Sequence, residues 1–199
     1  MSKFIEFRDQ IIVEVGPGSG KQAEMLKKAH PDLTIVLFDL PTQLYVCNQY
    51  LKKVFEGTDE LADYSVSRNY KSFNDIQRGK INILPNWMFP IVAGRSFDLL
   101  WNSASFQEMD ITTAEHYLKL ASGASAMYLM HNIKYRPQSP LPGYRGVIGP
   151  KALKNFVEKD RSLARLAYMA KTWIYFDSFW ESTQSSRSGS RFGLGRLFG

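Results

Sequence analysis

The sequence predicts a doubly wound α/β domain, with a mostly parallel, seven-stranded, Rossmann-like sheet and helices on both faces. Three observations predict it. Residues 11–15, 34–39, 80–85, 97–103 and 124–130 form short, nearly unbroken apolar runs, as expected of strands buried on both faces of a parallel sheet. Segments with apolar residues at helical spacing alternate with several of those runs, the pattern of repeated βα units. The runs also end in glycines and acids, at the strand ends where open α/β sheets bind ligands.

Composition sets the bounds. At 199 residues, 44% hydrophobic and 22% charged, the chain suits one globular domain with a sizeable core. No apolar run reaches the ~18 residues of a membrane helix, and Met1–Arg8 lacks the apolar stretch of a signal peptide. Cys47 is the only cysteine, so no internal disulfide forms and a reducing cytoplasm is the expected location. The net charge is +6, and Arg187, Arg191 and Arg196 in a Gly/Ser-rich tail supply half of it. No dense basic stripe with interleaved aromatics remains, so nucleic acid is not demanded as a partner. The expected organisation is a domain over 1–182 and a flexible tail over 183–199.

The first element is the strand Ile11-Ile12-Val13-Glu14-Val15, which runs into Gly16-Pro17-Gly18-Ser19-Gly20. Three alternating glycines describe a tight backbone turn that a ligand can approach closely. The helix that follows presents free N–H groups. Two ligand loops are excluded by single residues. A phosphate-binding P-loop needs glycine where Val15 stands and a hydroxyl where Gln22 stands. The dinucleotide fingerprint needs its third glycine at Lys21.

Residues 21–30 read as a helix with Ala23 and Leu26 inward, ended by Pro31-Asp32. The next strand, 34–39, finishes in Asp39, and Pro41 suits the first turn of a helix continuing to about Phe55. Residues 56–80 are irregular, compatible with a short helix or an extended insertion. A third strand over 80–85 leads to Asn86-Trp87-Met88, and a fourth starts at Phe97-Asp98 and exits through Asn102-Ser103-Ala104-Ser105. Asp98 lies at the start of its strand and is expected to be structural.

Thr112 and Glu115 have capping-box spacing and open a helix with Ala114, Tyr117, Leu118 and Ala121 inward. A fifth strand over 124–130 ends at His131-Asn132. The Pro/Gly-rich stretch 135–146 is expected to line a substrate pocket. A helix over 151–159 and an antiparallel pair over 163–169 and 172–180 complete the expected elements, with a helix as the alternative for 163–169.

Glu14-Val15-Gly16-Pro17-Gly18-Ser19-Gly20 resembles, position by position, the acid-x-Gly-x-Gly-x-Gly loop of class I methyltransferases that use S-adenosyl-L-methionine. That donor has no phosphates, so its loop need only pass beneath ribose and methionine. The resemblance places Glu14, Gly16, Pro17, Gly18 and Gly20 around the donor, with Glu14 able to meet its cationic amino group. Asp39 would accept from the ribose hydroxyls, followed by Leu40. Asn86 would meet the adenine amino group, Trp87 or Met88 would cover the ring, and Asn102-Ser103 would pass beside the methionine part.

The strings Phe38-Asp39-Leu40-Pro41 and Ser105-Phe106-Gln107-Glu108-Met109 resemble those of small-molecule O-methyltransferases. Over roughly residues 11–132 the sequence is similar to bacterial proteins assigned as sugar O-methyltransferases. The resemblance implies methyl transfer to a hydroxyl of a small molecule, such as a sugar or nucleotide sugar. Glu108 and His131 are the candidate bases, although Gln107 stands near the place where plant-type relatives carry a catalytic His. No His, Cys, Asp or Glu set has metal-ligand spacing, so no metal is expected. The first strand begins at Ile11, so a substrate lid is expected from later in the chain or from a partner, and a homo-oligomer is compatible. Two alternatives stay open: a binding protein that keeps the methyltransferase fold without turnover, and an RNA or protein methyltransferase.

Overall fold

β1 (Ile11–Val15), buried at all five positions, sits in the middle of the sheet. The structure is a computed structural model that describes residues 9–132, 153–163 and 175–184. After β1 come α1 (Lys21–Ala29), β2 (Thr34–Asp39), α2 (Pro41–Val54), β3 (Leu61–Ala62), α3 (Tyr64–Ser67) and β4 (Ile81–Pro85). Next are a 3-10 segment over Asn86–Val92, β5 (Phe97–Ser103), a 3-10 turn over Phe106–Glu108, α4 (Ile111–Leu120) and β6 (Ala124–Asn132). β7 (Phe156–Leu163) and β8 (Tyr175–Ser182) finish the described chain.

The strands lie in the order β3-β4-β2-β1-β5-β6-β8-β7. β3, β4, β2, β1, β5 and β6 pair in parallel, whereas β8 is antiparallel to both of its neighbours. The doubly wound, mostly parallel sheet is therefore present, and β3, a two-residue edge strand, brings the described strands to eight. Strand order reverses between β1 and β5. In an open α/β sheet that switch point opens a crevice at the carboxyl ends of the strands.

Side chains alternate across β1. Ile11, Val13 and Val15 join one buried layer with Leu100, Ala114, Tyr117 and Leu118, the last three from α4. Ile12 joins the other, with Ala23 and Leu26 of α1 and Leu44, Cys47 and Leu51 of α2. The sheet is thus covered on both faces.

Two polar ties hold its lower edge. The Asp98 carboxylate accepts from the Ile11 amide at 2.8 Å, locking β5 to β1 at their starts. Lys27, fully buried, donates its ammonium to the carbonyls of Pro31, Leu33 and Gly79. A buried ammonium needs several partners to offset desolvation, and three carbonyls match its three donors.

Three expectations change. The segment expected as a helix over 151–159 contains instead a turn at residues 154–155 and the start of β7 at Phe156. Glu158, Lys159, Asp160 and Arg161 are charged, which is what an exposed edge strand carries to resist further pairing. The antiparallel pair shifts accordingly to β7 and β8, with a register irregularity between Glu158 and Asp160. α4 begins at Ile111, with Asp110 rather than Thr112 before its first turn. Asp is as good a residue type as Thr at that place, so the Thr112–Glu115 box is not the start. Residues 135–146, 164–169 and 185–199 lie outside the described residues.

Candidate functional site

The turn after β1 alternates left-handed glycines, with φ of 75° at Gly16, 58° at Gly18 and 85° at Gly20. Two of them are fixed by close packing as well. A Cβ on Gly16 would stand 2.3 Å from the Cβ of Ser105, and one on Gly20 would stand 2.8 Å from Cys47 Sγ. Nothing lies within 4 Å of a Cβ built at Gly18, so the loop is packed at both ends and open at its middle. Gly16 N donates to Phe38 O at 2.9 Å and Gly20 N to Pro17 O at 3.0 Å, and Pro17 is buried between them.

Beneath this turn lies Glu14. It is 2% exposed, and on a β-strand it shares a face with Ile12, toward α1 and α2. Among the described residues its carboxyl accepts no hydrogen bond. Desolvation, with the Asp39 carboxylate adding to it, pushes the Glu14 pKa up from 4.5 to about 8. The Cys47 thiol beside it is pushed up to about 12, chiefly by burial and further by Glu14 and Asp39. At neutral pH Cys47 is therefore a small apolar group and not a nucleophile.

Asp39 closes β2 and is half-buried. Burial raises its pKa, against which the amides of Leu40 and Gly18 act as donors. The Leu40 bond is 2.8 Å. The acid at the end of the second strand is thus tied by backbone to the open middle of the glycine turn. Leu40 itself is exposed.

On the other side of the switch point the β5 exit is laced to β1. Asn102 Nδ2 donates to Val15 O at 2.9 Å and to Ser105 Oγ, and its Oδ1 accepts from Phe106 N at 3.2 Å. Ser105 Oγ also donates to Val15 O at 2.9 Å. Asn102 is 1% exposed, and these bonds tie its amide to the turn after β1. Ser103 Oγ accepts from the Trp101 indole at 2.8 Å. Between them Ala104 takes φ 69°, a left-handed conformation that costs a non-glycine residue of order 1–2 kcal/mol. Its amide donates to Met130 O at 2.9 Å.

Asn86 opens the 3-10 segment after β4, half-buried, with Trp87 beside it 60% exposed. The Asn86 side chain is a hydrogen-bond partner of the Tyr117 hydroxyl, whose pKa burial raises. Tyr117 comes from α4 and packs edge-on against Phe89, with centroids 4.7 Å apart. Glu108 is exposed on the 3-10 turn after β5. His131 extends β6 by one position past Met130, the register partner of Ser103, and pairs through its backbone with Phe176. Its side chain lies outside the described residues.

Gly16, Pro17, Gly18, Gly20, Asp39 and Leu40 therefore lie at the carboxyl ends of β1 and β2, with Glu14 buried beneath the turn, and Asn86 and Trp87 follow the end of β4. Ser105 and Tyr117 are the neighbours that sequence reasoning passed over. Ser105 stood in the exit segment without a role, and Tyr117 looked like any inward aromatic on a helix. Among the described residues no three His, Cys, Asp or Glu side chains come together as a metal site, and no helix is long and apolar enough to cross a membrane.

No protein-family model matches the sequence, and no curated protein does. Solved structures do match in fold. Magnesium protoporphyrin IX methyltransferase from Synechocystis PCC 6803, with S-adenosylhomocysteine bound, superposes with a TM-score of 0.59 at 12% identity, over 87% of this chain and 74% of that one. Mitomycin 7-O-methyltransferase MmcR gives 0.56 at 13% identity, over 90% of this chain and 51% of that one. TrmK of M. capricolum in complex with S-adenosylhomocysteine gives 0.54 at 11%, over 87% and 62%. The chain thus spans about half the length of MmcR and less than two thirds of TrmK. It has the Rossmann-like fold of these methyltransferases.

Proposed function

We propose that the chain binds S-adenosyl-L-methionine and transfers its methyl group to a hydroxyl of a small molecule, with a sugar as the leading acceptor. One observation carries the donor assignment. A buried carboxyl without a hydrogen-bond partner among the described residues lies under a glycine turn at the switch point, with a second carboxylate at the end of the adjacent strand. A phosphate would be repelled by the Asp39 carboxylate and would leave Glu14 without a partner. A nucleoside with ribose hydroxyls and a cationic amino group is the complementary ligand, since Asp39 can accept from the hydroxyls and Glu14 from the amine. The fold likeness to methyltransferases with bound S-adenosylhomocysteine supports the same ligand.

Bound there, S-adenosyl-L-methionine supplies an electrophilic methyl group. The chain's part is placement. Gly18 leaves the middle of the turn open to the ligand, and Asn86 and Trp87 flank the adenosine end. The Asn102–Ser105 lacing keeps the β5 exit against the loop, so that an acceptor hydroxyl approaches in line from the β5–β6 side. Glu108, after β5, and His131, by its backbone position at the end of β6, are the proposed groups to take the hydroxyl proton. The O-methyl assignment draws support from the MmcR likeness and from the Phe38–Pro41 and Ser105–Met109 strings. A labelled-methyl assay across sugars, catechols and RNA tests it, with incorporation expected only into a hydroxylated small molecule. A loss of roughly 100-fold or more, the range of general-base catalysis, is expected in Glu108→Gln or in His131→Ala. Full activity in both variants removes these two residues as bases.

A further inference from the structure

We propose that Glu14 makes the crevice selective for positively charged ligands by exchanging its proton for the ligand's charge: the free protein holds Glu14 as the neutral acid, and binding of a cation releases one proton to solvent. The inference rests on the donor reading above and adds how that site is loaded.

The surroundings of Glu14 leave little else to neutralise it. β2 places Leu37 opposite it in register and β5 places Trp101, both apolar. From α2 it meets the neutral Cys47 thiol. On α1, Lys27 is committed to three backbone carbonyls and Lys28 to Glu24. Lys21 acts on Glu24. Among the described residues, the one charge that bears on Glu14 is the like charge of Asp39. Two adjacent carboxyls without a cation do not both ionise readily.

The hydrogen bonds decide which of the two keeps the proton. Asp39 is half-exposed and receives the Leu40 and Gly18 amides, both of which favour its carboxylate. Glu14 is 2% exposed and, among the described residues, accepts nothing. Ionising it in the empty site would leave a buried, unpaired charge, among the costliest arrangements in a protein interior. A ligand ammonium or sulfonium removes that cost by pairing with the carboxylate as it forms. The step balances: the carboxyl O–H breaks, the proton leaves to buffer, and the carboxylate takes the ligand's positive charge as its partner. A neutral nucleoside offers no such exchange.

Calorimetry on the intact protein at pH 7, in phosphate and in Tris, separates the possibilities through the two buffers' different ionisation heats. S-adenosylhomocysteine, with its amino-acid part, is compared with methylthioadenosine, which lacks it. The expected result is close to one proton released per S-adenosylhomocysteine and none per methylthioadenosine. Affinity for S-adenosylhomocysteine should rise about tenfold between pH 6 and pH 7, and that of methylthioadenosine should not move. Glu14→Gln should unfold cooperatively, which reports that the variant folds, and should bind S-adenosylhomocysteine without proton release. Binding of S-adenosylhomocysteine by the wild type without proton release overturns the exchange and leaves the donor reading standing. Failure of both ligands to bind at pH 6 and pH 8 overturns both.

Discussion

At the scale of the residue, Glu14 links burial to pH. Its pKa is raised in the folded chain, from 4.5 to about 8. Between those values the folded state keeps a proton that the unfolded state has lost. Stability is therefore greatest below about pH 4.5 as far as this group is concerned, falls as pH rises toward 8, and is level above. A tenfold change in proton affinity is worth ~1.4 kcal/mol, so burying Glu14 costs on the order of 4 kcal/mol by pH 8. Glu14→Gln keeps the shape and cannot ionise. Denaturant titrations at several pH values should show the wild type losing stability relative to Glu14→Gln across pH 5–8, and the two curves running parallel above. Parallel profiles through the whole range would mean that Glu14 is already ionised at pH 5.

At the scale of the element, the β5 exit is held by Asn102. Its amide satisfies Val15 O, Ser105 Oγ and Phe106 N together, and Ser105 in turn fills the space that a side chain at Gly16 would need. Asn102→Ala leaves the buried Phe106 amide without its partner and takes one of two side-chain donors from Val15 O, which keeps Ser105 Oγ. An unsatisfied buried group costs ~1–3 kcal/mol, so the variant should lose about that much stability in urea and bind the donor more weakly, because the glycine turn loses support from behind. Unchanged stability would show that water replaces the amide. The same element shows how far sequence reasoning reaches. Asn102 was legible as a residue at a ligand edge, because the strand pattern placed it there. Its engagement with Val15 was not, since it depends on β1 and β5 being neighbours, a pairing 87 residues apart in the chain. Tyr117 was hidden for a similar reason. Helical spacing said that it points inward, and only tertiary packing brings its hydroxyl to Asn86.

At the scale of the whole molecule, the parallel half of the sheet was readable because strands buried on both faces announce themselves as apolar runs, and β1, β2, β4, β5 and β6 all do. The antiparallel end was not. β7 carries Glu158, Lys159, Asp160 and Arg161 at an exposed edge, where the strand's alternation is broken by a register irregularity and charge masks the period. β3, with two residues, is too short to leave any pattern. The glycine turn and Asp39 stood out because backbone geometry restricts the residue types allowed there, whereas the acceptor side depends on side chains that many sequences could supply. The most direct test of the account is therefore at the turn. Calorimetry of S-adenosylhomocysteine with the intact protein should give one site per chain, and Gly18→Arg, which fills the open middle of the loop, should abolish it while thermal unfolding stays cooperative. Absence of binding by the wild type, or equal binding by Gly18→Arg, would contradict the claim that this crevice holds the methyl donor.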